Sequence, residues 1–487
     1  MCAPLWLRFV AHLPLPLSAI LITVDTLRAD RLSCYGYRAS STPGIDRLAA
    51  EGARFVNAYC DMPWTTGSMA SVMTGVYGPQ HGVRRPWNKL AESHVTMAEI
   101  FRENGFATAA FVGSFPVDSL YGLDQGFKVY DDRFDQPLLA GAEASVDPRA
   151  LLERATEPEK YETARAEMLR GDAYRSDESV TAAAVAWLEL YRTGRFFMWV
   201  HYFGPHERLE AGNRQQRRRI VEDYDLDLRE TDIAVARLLQ TIDDFGIDDT
   251  TVVVLHSDHG QALGEHGTVG HGRDLYEASV RIPLLIRLPP MVPAQLLRNE
   301  LVRNIDILPT LLDVFELPPR VGLAGRSLLP LLRSDPEPTR PVQAYMEVEE
   351  TPAVRVRSKD RDEIFARTSS YAVREGGWKY ILTNFHAPCT QGASRFRFDI
   401  YGVNPAAALD GKPLADEECM DLAMQRLYDV RGPIPAHESA NRSGDFPGVA
   451  RRLAGVVAEK QRTAVEVEAF ELTPGDREKL RSLGYLE

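Results

Sequence analysis

Short apolar segments rich in β-branched residues alternate with amphipathic segments along most of the chain. The clearest apolar segments are SAILITVD (18–25), FFMWVHY (196–202) and TTVVVLHSD (250–258). Their length and composition are typical of buried strands, whereas DESVTAAAVAWLELYRTG (177–194) carries its apolar residues at helical spacing. This alternation predicts an α/β fold, namely an α/β/α sandwich around a mostly parallel central sheet.

The pattern changes near residue 340. SYAVREGGWKYIL (370–382) predicts a hairpin that turns at Gly376-Gly377, and the region 447–470 predicts a long helix. A chain of 487 residues is also too long for one ordinary core. We therefore expect a large domain over residues 1–340 and a smaller α+β domain over residues 341–487. The polar region 136–175 is expected to be a surface insertion.

The charge balance excludes some classes of partner. The chain has 56 Lys and Arg against 69 Asp and Glu, a formal net charge of −13. Such a protein is not expected to bind nucleic acid or anionic membranes in general. A small anionic substrate stays compatible with this charge, because one site can be locally positive.

Cysteine usage and the N-terminal segment bear on the compartment. The five cysteines show no Cys-x-x-Cys spacing, so a reduced compartment fits best. The start, MCAPLWLRFVAHLPLPLSAILITVD, is broken by prolines and lacks the pattern of a signal peptide. No stretch has the ~20 unbroken apolar residues of a membrane span. We expect a cytoplasmic protein without an integral membrane segment, or an exported one if an upstream signal is missing from this start. The oligomeric state is open.

A histidine-rich and glycine-rich segment follows the strongest predicted strand. In SDHGQALGEHGTVGHG (257–272), Asp258 and His259 fall at the carboxyl end of that strand, where α/β sheets place their ligand sites. Asp258, His259 and His271 offer the oxygen and nitrogen ligands that divalent metals take. The alternative is a surface loop with scattered histidines.

Two further residues extend this constellation. Asp25 ends another buried strand, and a metal shared with Asp258 and His259 would compensate its charge; a cap or salt bridge is the alternative. Thr65 begins a predicted helix in TTGSMASVM, where free N–H groups and the helix dipole favour anions. A hydroxyl there can approach a metal, lose its proton and attack an anionic ester. The alternative is a plain N-cap.

Several motifs resemble the sulfatase family of the alkaline-phosphatase superfamily. They occur in family order, and the most specific are VDTLRADRLSCYGY (24–37), PWTTGSMASVMTG (63–75), HYFGPHERL (201–209) and SDHGQALGEHGTVGHGRDLYEASVRIPLLI (257–286). C-terminal pieces such as LRSLGYLE (480–487) are also similar, so the resemblance spans nearly the whole chain. It implies a catalytic domain over residues 1–340 and an ester-hydrolysing activity.

The resemblance also implies which residue is the nucleophile. Typical sulfatases carry Cys-x-Pro-Ser-Arg, with the modified cysteine nine residues before a Thr-Gly. Here Thr74 precedes Gly75, and 74 − 9 = 65, so the position is held by Thr65. Cys60 lies too early and is not expected to become formylglycine. Thr65 instead resembles the threonine nucleophile of superfamily phosphodiesterases and phosphoethanolamine transferases.

Other departures from the family pattern bear on the metal. Thr26 replaces the second Asp of the usual pair, His259 replaces the usual Asn, and Met69 stands where an Arg is expected. Losing a carboxylate and gaining an imidazole shifts the expected ion from Ca²⁺ toward Zn²⁺ or Mn²⁺, with Ca²⁺ and Mg²⁺ as alternatives. We expect Asp25, Thr65, Asp258 and His259 to hold it.

The remaining candidates would contact the substrate. His206 and His201 lie in a segment resembling the family's Pro-His loop, and with His271 they are expected to stabilise the ester oxygens or protonate the leaving group. A second metal at His206 and His271 is an alternative. His81 and Arg84 are candidate substrate-binding residues, with a structural role and a solvated surface charge as their alternatives.

Three functions compete at this stage. The first is a metal-dependent hydrolase of sulfate or phosphate esters that forms a covalent Thr65 ester. The second is a transferase that passes a phospho-alcohol group to an acceptor. The third is a degenerate member that binds anions or a partner without catalysis. The retained Asp25, Thr65 and Asp258 argue against the third.

Overall fold

A computed structural model of the chain describes residues 18–134, 136–137, 172–206, 214–333, 342–357, 363–386, 421–431, 438, 440–465 and 472–482. The predicted insertion at 136–175 falls mostly outside the described residues.

The strands of the described residues fall into one large sheet, one smaller sheet and two short ribbons. In chain order they are β1 Ser18–Val24, β2 Ala53–Tyr59, β3 Ala107–Val112, β4 Val129–Asp131, β5 Gln136–Pro137, β6 Asp172–Tyr174, β7 Phe196–Tyr202, β8 Thr251–His256, β9 Ala262–Leu263, β10 Val269–Gly270, β11 Arg281–Arg287, β12 Leu296–Arg303, β13 Gln343–Arg357, β14 Glu363–Glu375, β15 Trp378–His386 and β16 Asp421–Asp429.

The α-helices pack around these sheets and range from one turn to eight. In chain order they are α1 Pro43–Glu51, α2 Thr65–Thr74, α3 Gly78–His81, α4 Met97–Glu103, α5 Asp177–Tyr191, α6 Arg214–Asp244, α7 Glu277–Val280, α8 Ile307–Val314, α9 Leu329–Arg333, α10 Pro447–Arg462 and α11 Pro474–Ser482.

The central sheet has eight strands in the order β12-β2-β11-β8-β1-β7-β3-β4. Every neighbouring pair is parallel except the two that β11 makes with β2 and β8. Two apolar clusters cover its faces, one around α2 and α4 and the other around α1, α5 and α6. The predicted α/β/α sandwich with a mostly parallel sheet is therefore confirmed.

The middle of this sheet brings three candidate residues to one edge. Strands β8, β1 and β7 are consecutive neighbours, and Thr23 pairs with both His201 and His256. Asp25 follows β1 and Asp258 follows β8, so the carboxyl ends of three parallel strands present Asp25, His201 and Asp258 together. This is the edge at which parallel sheets bind ligands.

Two elements differ from the sequence-based predictions. Strand β2 is absent from the sequence-based predictions, although ARFVNAY largely alternates polar and apolar residues as half-buried strands do; it joins the sheet between β12 and β11. Helix α10 ends at Arg462 rather than near 470. The predicted hairpin at Gly376-Gly377 is confirmed by β14 and β15.

The C-terminal sheet is a four-stranded antiparallel meander, β13-β14-β15-β16. Met346, Val430 and Leu480 from this part of the chain belong to the same apolar cluster as α2. The core therefore runs without a break from the large sheet to the small one, and the domain boundary at residue 340 stays a prediction. Within the described residues no helix has the length and apolarity needed to span a membrane.

Candidate active site

The helix that carries the candidate nucleophile begins at Thr65. Trp64 is its N-cap in an extended conformation, and Thr65 is the first helical residue. The first N–H groups of a helix have no partners inside the helix, and together with the dipole they create positive potential at this end. Thr65 is fully buried, so its hydroxyl lies at the positive end of a helix and away from bulk water.

The Thr65 hydroxyl faces the ends of β1 and β8. Its Oγ1 lies 3.2 Å from Nε2 of His259 and 3.4 Å from Oδ2 of Asp25. His259 Nε2 is in turn 3.7 Å from Asp25 Oδ1 and 3.5 Å from Asp258 Oδ2. The structure thus brings together the four residues predicted to hold a metal.

The donor atoms of this group suit a divalent cation. Asp25, Asp258 and His259 each offer one ligand atom within 4.8 Å of the others. Asp25 Oδ1 and Asp258 Oδ2 are buried and accept no hydrogen bond from any described residue. A cation beside them would lower the free-energy cost of burying their charge. His259 Nδ1 lies 2.9 Å from the Gly260 carbonyl oxygen and donates to it, which leaves the Nε2 lone pair directed at the two carboxylates.

Burial and mutual repulsion make the two carboxylates costly without a cation. Burial raises the pKa of Asp25 well above its ordinary value, and the nearby charge of Asp258 raises it further. A divalent ion would reverse both effects, because it favours the ionised form of each ligand. Two carboxylates, one imidazole and one hydroxyl make a compact set of four ligands, as transition metals such as Zn²⁺ take.

Thr26 adopts a strained backbone beside this group. Its φ of 55° lies in the left-handed region, which β-branched residues seldom enter. The strain directs its N–H to Asp258 Oδ1 at 3.2 Å, and its own hydroxyl is buried without a hydrogen bond to the described residues. The backbone of Thr26 therefore orients the carboxylate of Asp258.

Three further histidines lie near Asp25, Asp258 and His259, which we call the metal-type ligands. The ring of His271 lies 4.6 Å from that of His259, and its Nε2 is 2.9 Å from Nε2 of His206. Burial and neighbouring histidines lower the pKa of His271, and burial lowers that of His206 to about 3. The pair is consequently neutral, and one Nε2–H donates to the other ring.

His201 lies at the end of β7 with both ring nitrogens buried. Neither nitrogen makes a hydrogen bond to any residue that the structure describes. Burial lowers the pKa of His201 to about 4, although the charge of Asp258 opposes this shift. His201 is therefore a neutral imidazole within electrostatic reach of Asp258.

Asp177 is a site residue that the sequence analysis missed. Its Oδ1 accepts N–H groups of Phe203 at 3.0 Å and Gly204 at 3.3 Å, and its Oδ2 accepts the Thr231 hydroxyl at 2.6 Å. These bonds fix the turn that leads from β7 to His206. Its position in the first turn of α5 suggested only a helix-stabilising charge, so no local signal pointed to this role.

The structure gives Arg84 and His81 other partners. The Arg84 guanidinium lies 2.8 Å from Glu347 and 2.7 Å from Glu349, both on β13. His81 is fully buried, and its Nδ1 accepts the Val83 N–H at 3.1 Å. The contacts of His81 fit its structural alternative, whereas Arg84 is ion-paired and mostly buried rather than a solvated surface charge. The substrate-binding role of either residue stays a prediction.

His81 belongs to a buried hydrogen-bonded chain beneath α2. Because its Nδ1 is an acceptor, its Nε2–H donates to Ser71 Oγ at 2.7 Å, and Ser71 donates to Asp61 Oδ2 at 2.5 Å. Asn304 Nδ2 donates to Asp61 Oδ1 at 2.9 Å and to Ser68 Oγ at 3.0 Å. Ser68 finally donates to the Asp258 carbonyl at 2.6 Å, which ties the network to the metal-type ligands.

Asp61 should make the stability of the fold depend on pH. Burial raises its pKa to about 7 from 3.8. Between about pH 4 and pH 7 the unfolded chain has lost this proton while the folded chain retains it, so stability falls as the pH rises, by about 4 kcal/mol in total. We expect Asp61→Asn to remove this slope. Urea unfolding of both proteins from pH 4.5 to 8 measures it; parallel pH curves for the two proteins would contradict the assignment.

Cys60 makes no hydrogen bond to Asp25, Thr65 or His259 among the described residues. It is buried, and its Sγ lies 3.9 Å from the Ser279 carbonyl oxygen. Burial raises the pKa of its thiol well above the ordinary value, with the charges of Asp61 and Asp258 adding to the effect. The raised pKa favours the protonated thiol. The expectation that Cys60 is not the modified residue stays a prediction.

Comparisons with known proteins identify the family of the chain. The family model described as sulfatase matches residues 18–317, and the model described as N-sulphoglucosamine sulphohydrolase, C-terminal, matches residues 264–373. The first match includes Asp25, Thr65, Asp258 and His259. It covers more than half of the chain.

Individual relatives give the same result. Arylsulfatase A of Homo sapiens is 28% identical over 364 residues, which is 65% of this chain and 68% of that protein. The ulvan-active sulfatase of Formosa agariphila is 26% identical over 352 residues, or 66% of each. The phosphonate monoester hydrolase of Agrobacterium radiobacter has a similar fold, with a TM-score of 0.63 over 92% of this chain and 96% of that one, at 18% identity.

Proposed function

The chain belongs to the sulfatase family, and from this premise we propose that it hydrolyses sulfate or phosphate esters with Thr65 as its nucleophile. Its relatives are ester hydrolases, so the general class of enzyme follows from the family. The identity of the nucleophile and the use of a covalent intermediate are our proposals. The substrate is a small anionic ester.

The position of the Thr65 hydroxyl carries this proposal. It lies at the positive end of α2, 3.4 Å from Asp25 and 3.2 Å from His259, in the buried group of metal-type ligands. The family places its catalytic side chain at the same position in the motif. A fully buried hydroxyl between a carboxylate and an imidazole is oriented for attack rather than for solvation.

A divalent metal is the proposed cofactor, with Zn²⁺ or Mn²⁺ favoured. Asp25, Asp258, His259 and Thr65 would hold it, and when bound it would lower the pKa of the Thr65 hydroxyl and offset the negative charge of the ester. The unpartnered oxygens of Asp25 and Asp258 support this assignment. The sulfatase family is metal-dependent, and the imidazole of His259 favours a transition metal.

The protein's own groups would then perform a double displacement. Thr65 Oγ forms a bond to sulfur or phosphorus while the bond to the leaving alcohol oxygen breaks in line with it. His206 and His271 are neutral and face each other through their Nε2 atoms, so the pair can accept the proton that the Thr65 hydroxyl loses and pass it to the leaving oxygen. Asp177 holds the backbone turn before His206 and thereby positions this proton.

The second step restores Thr65. A water molecule attacks the sulfur or phosphorus of the Thr65 ester, and the bond to Thr65 Oγ breaks. The neutral His206–His271 pair accepts a proton from this water and returns a proton to Thr65 Oγ, which restores both the hydroxyl and the neutral pair. His201 is proposed to contact the oxygens of the ester, because its ring nitrogens have no other partner among the described residues.

A substrate panel tests the proposal. We expect the metal-loaded protein to release alcohol from an aryl sulfate, a phosphate monoester, a phosphodiester or a phosphonate monoester. The ranking among the four then assigns the substrate class. The same panel with added glycerol measures transfer to an acceptor alcohol, which would indicate the transferase alternative. A metal-loaded protein that turns over none of the four esters would contradict the proposal.

A further inference from the structure

A cavity lies where the large sheet meets the small one. It has a volume of about 410 Å³, and its polar lining includes Tyr59, Glu277, Arg281, Arg374 and Arg431. Tyr59 and Arg281 belong to the central sheet, whereas Arg374 belongs to β14. None of these residues is among those that we assign to catalysis. The cavity is therefore a separate feature of the molecule.

The first guanidinium of this cavity is almost completely buried. Arg374 is 5% exposed and donates Nε–H to the Tyr59 hydroxyl at 3.3 Å and Nη1–H to the Gly376 carbonyl. Among the described residues, no carboxylate lies within salt-bridge distance of it, and its Nη2 makes no hydrogen bond. A buried guanidinium without a salt-bridged carboxylate is costly, because the nearby Glu277 offsets only part of its charge.

The second guanidinium has the same incomplete set of partners. Arg281 donates Nε–H and Nη2–H to one acceptor, the Val56 carbonyl, at 3.1 and 2.8 Å. Its Nη1 makes no hydrogen bond to the part of the chain that the structure describes, and no carboxylate there forms a salt bridge with it. Each arginine thus has N–H donors that make no hydrogen bond to a carboxylate or a carbonyl of the described residues.

The nearest acid is already engaged. Glu277 Oε1 lies 3.0 Å from Lys379 Nζ, and its Oε2 accepts the Tyr59 hydroxyl at 2.9 Å. Lys379 also contacts Glu438 at 3.0 Å. Lys379 therefore compensates much of the charge of the acids, and the two arginines add positive charge to the cluster.

The third arginine lies at the rim and is compensated separately. Arg431 Nε donates to Asp429 Oδ1 at 2.8 Å, so it contributes little net charge. Its side chain crosses the hairpin turn at Gly377, where a Cβ would lie only 2.5 Å from the Arg431 Cδ. The glycine allows Arg431 to lie against the turn and to form one wall of the cavity.

From these contacts we propose that the cavity binds a tetrahedral oxyanion, such as inorganic sulfate or phosphate, between Arg281 and Arg374. Guanidinium groups bind such anions through paired N–H donors, and the unused donors here belong to two different sheets. Bound anion would connect the central sheet to the C-terminal sheet and stabilise their packing. The site is distinct from the one that contains Thr65.

Calorimetric titration of the full-length, metal-loaded protein tests this site. The titrants are sodium sulfate and sodium phosphate, with sodium chloride at matched ionic strength as the blank. We expect the wild type to bind one anion at this site. Thr65→Ala should leave the affinity for this anion unchanged, whereas Arg281→Gln should lower it tenfold or more. Arg281→Lys keeps the charge without the paired donors and should recover part of the binding. Arg320→Gln, an exposed arginine paired with Glu103, is the matched control and should bind as the wild type does.

The two anions separate the sources of the ligand. Preferential binding of sulfate or of phosphate identifies the ion, and equal binding of both supports a general oxyanion site. Turnover of the best ester should be unchanged in Arg281→Gln. The proposal is overturned if neither anion binds outside the Thr65 site, or if Arg281→Gln binds as tightly as the wild type. Because binding is measured without turnover, the result stands whether or not the proposed catalytic role of Thr65 holds.

Discussion

Replacing Thr65 by alanine is expected to lower kcat/KM for the best ester by about a thousandfold or more. The hydroxyl is the group that we propose forms the covalent bond, and no other hydroxyl of the described residues lies between Asp25 and His259. Thr65→Ser keeps the oxygen and should retain a measurable part of the rate. Steady-state kinetics of the metal-loaded variants measures both effects.

Two control variants separate a chemical role from a packing role. Thr66→Ala removes the neighbouring hydroxyl, which donates to the Pro116 carbonyl at 2.6 Å, and should change kcat/KM only slightly. Cys60→Ala removes the other nucleophile that the motif offers and should likewise leave the rate nearly intact. If Cys60→Ala abolished turnover while Thr65→Ala did not, the assignment of the nucleophile would be wrong.

A direct observation of the intermediate completes this test. During turnover the proposed mechanism places a sulfuryl or phosphoryl group on Thr65 Oγ. Rapid acid quenching followed by peptide mass spectrometry should find that added mass on the peptide that contains residue 65. The adduct should be missing from Thr65→Ala and present in Thr66→Ala.

The second large effect is expected from Asp258→Asn. The amide oxygen can keep the hydrogen bonds that Oδ1 accepts from the N–H groups of Thr26 and His259, at 3.2 and 2.8 Å. The position of Oδ2, which faces His259, becomes an NH₂ group that repels a cation. We expect the bound metal to fall well below one equivalent and kcat/KM to fall at least about a hundredfold. Elemental analysis and kinetics measure the two quantities.

The same variant should have opposite effects on stability with and without metal. In chelator, Asp258→Asn removes the repulsion between two buried carboxylates and should raise the Tm of the metal-free protein. With metal added, the wild type should gain stability by ligand binding while the variant gains little. A merely structural defect would lower the Tm in both conditions, and that outcome would contradict a metal site at Asp258.

Asp232→Asn provides the matched control. Asp232 is also a buried acid, but its oxygens accept the N–H groups of Gly44 and Ile45 at the start of α1. Replacing it should lower the Tm whether or not metal is present, and it should leave the metal content unchanged. A difference in Tm and metal content between the two variants would then be due to the metal site and not to the loss of a buried charge as such.

Strand-end acids are the part of the site that the sequence predicts best. Asp25 and Asp258 directly follow apolar β-branched runs, and adjacent parallel strands must bring such residues to one edge. Thr65 could be assigned only by the family resemblance, because a threonine at a helix start most often caps the helix. The backbone strain of Thr26 had no local signal, since it depends on the neighbouring strand.

Contacts between distant segments could not be predicted from local patterns. Arg84 has the sequence context of an anion-binding residue, yet Glu347 and Glu349 reach it from a strand that pairs in the other sheet. Asp177 resembled an ordinary residue in the first turn of a helix, and its role depends on the turn after β7. In each case the partner is set by tertiary packing.

The residues that hold Asp61 beneath the helix of Thr65 come much later in the chain, and this order has a consequence for biosynthesis. Asp61, which lies beneath the helix of Thr65, is held by Asn304, 243 residues further along, and its carbonyl accepts the N–H of Glu347. A nascent chain on the ribosome therefore contains Thr65 long before it contains these supports. The half-made protein exposes apolar residues around α2, such as Met69, which need protection until the later residues that cover them, such as Val302 and Met346, emerge. Ester hydrolysis should begin only late in translation.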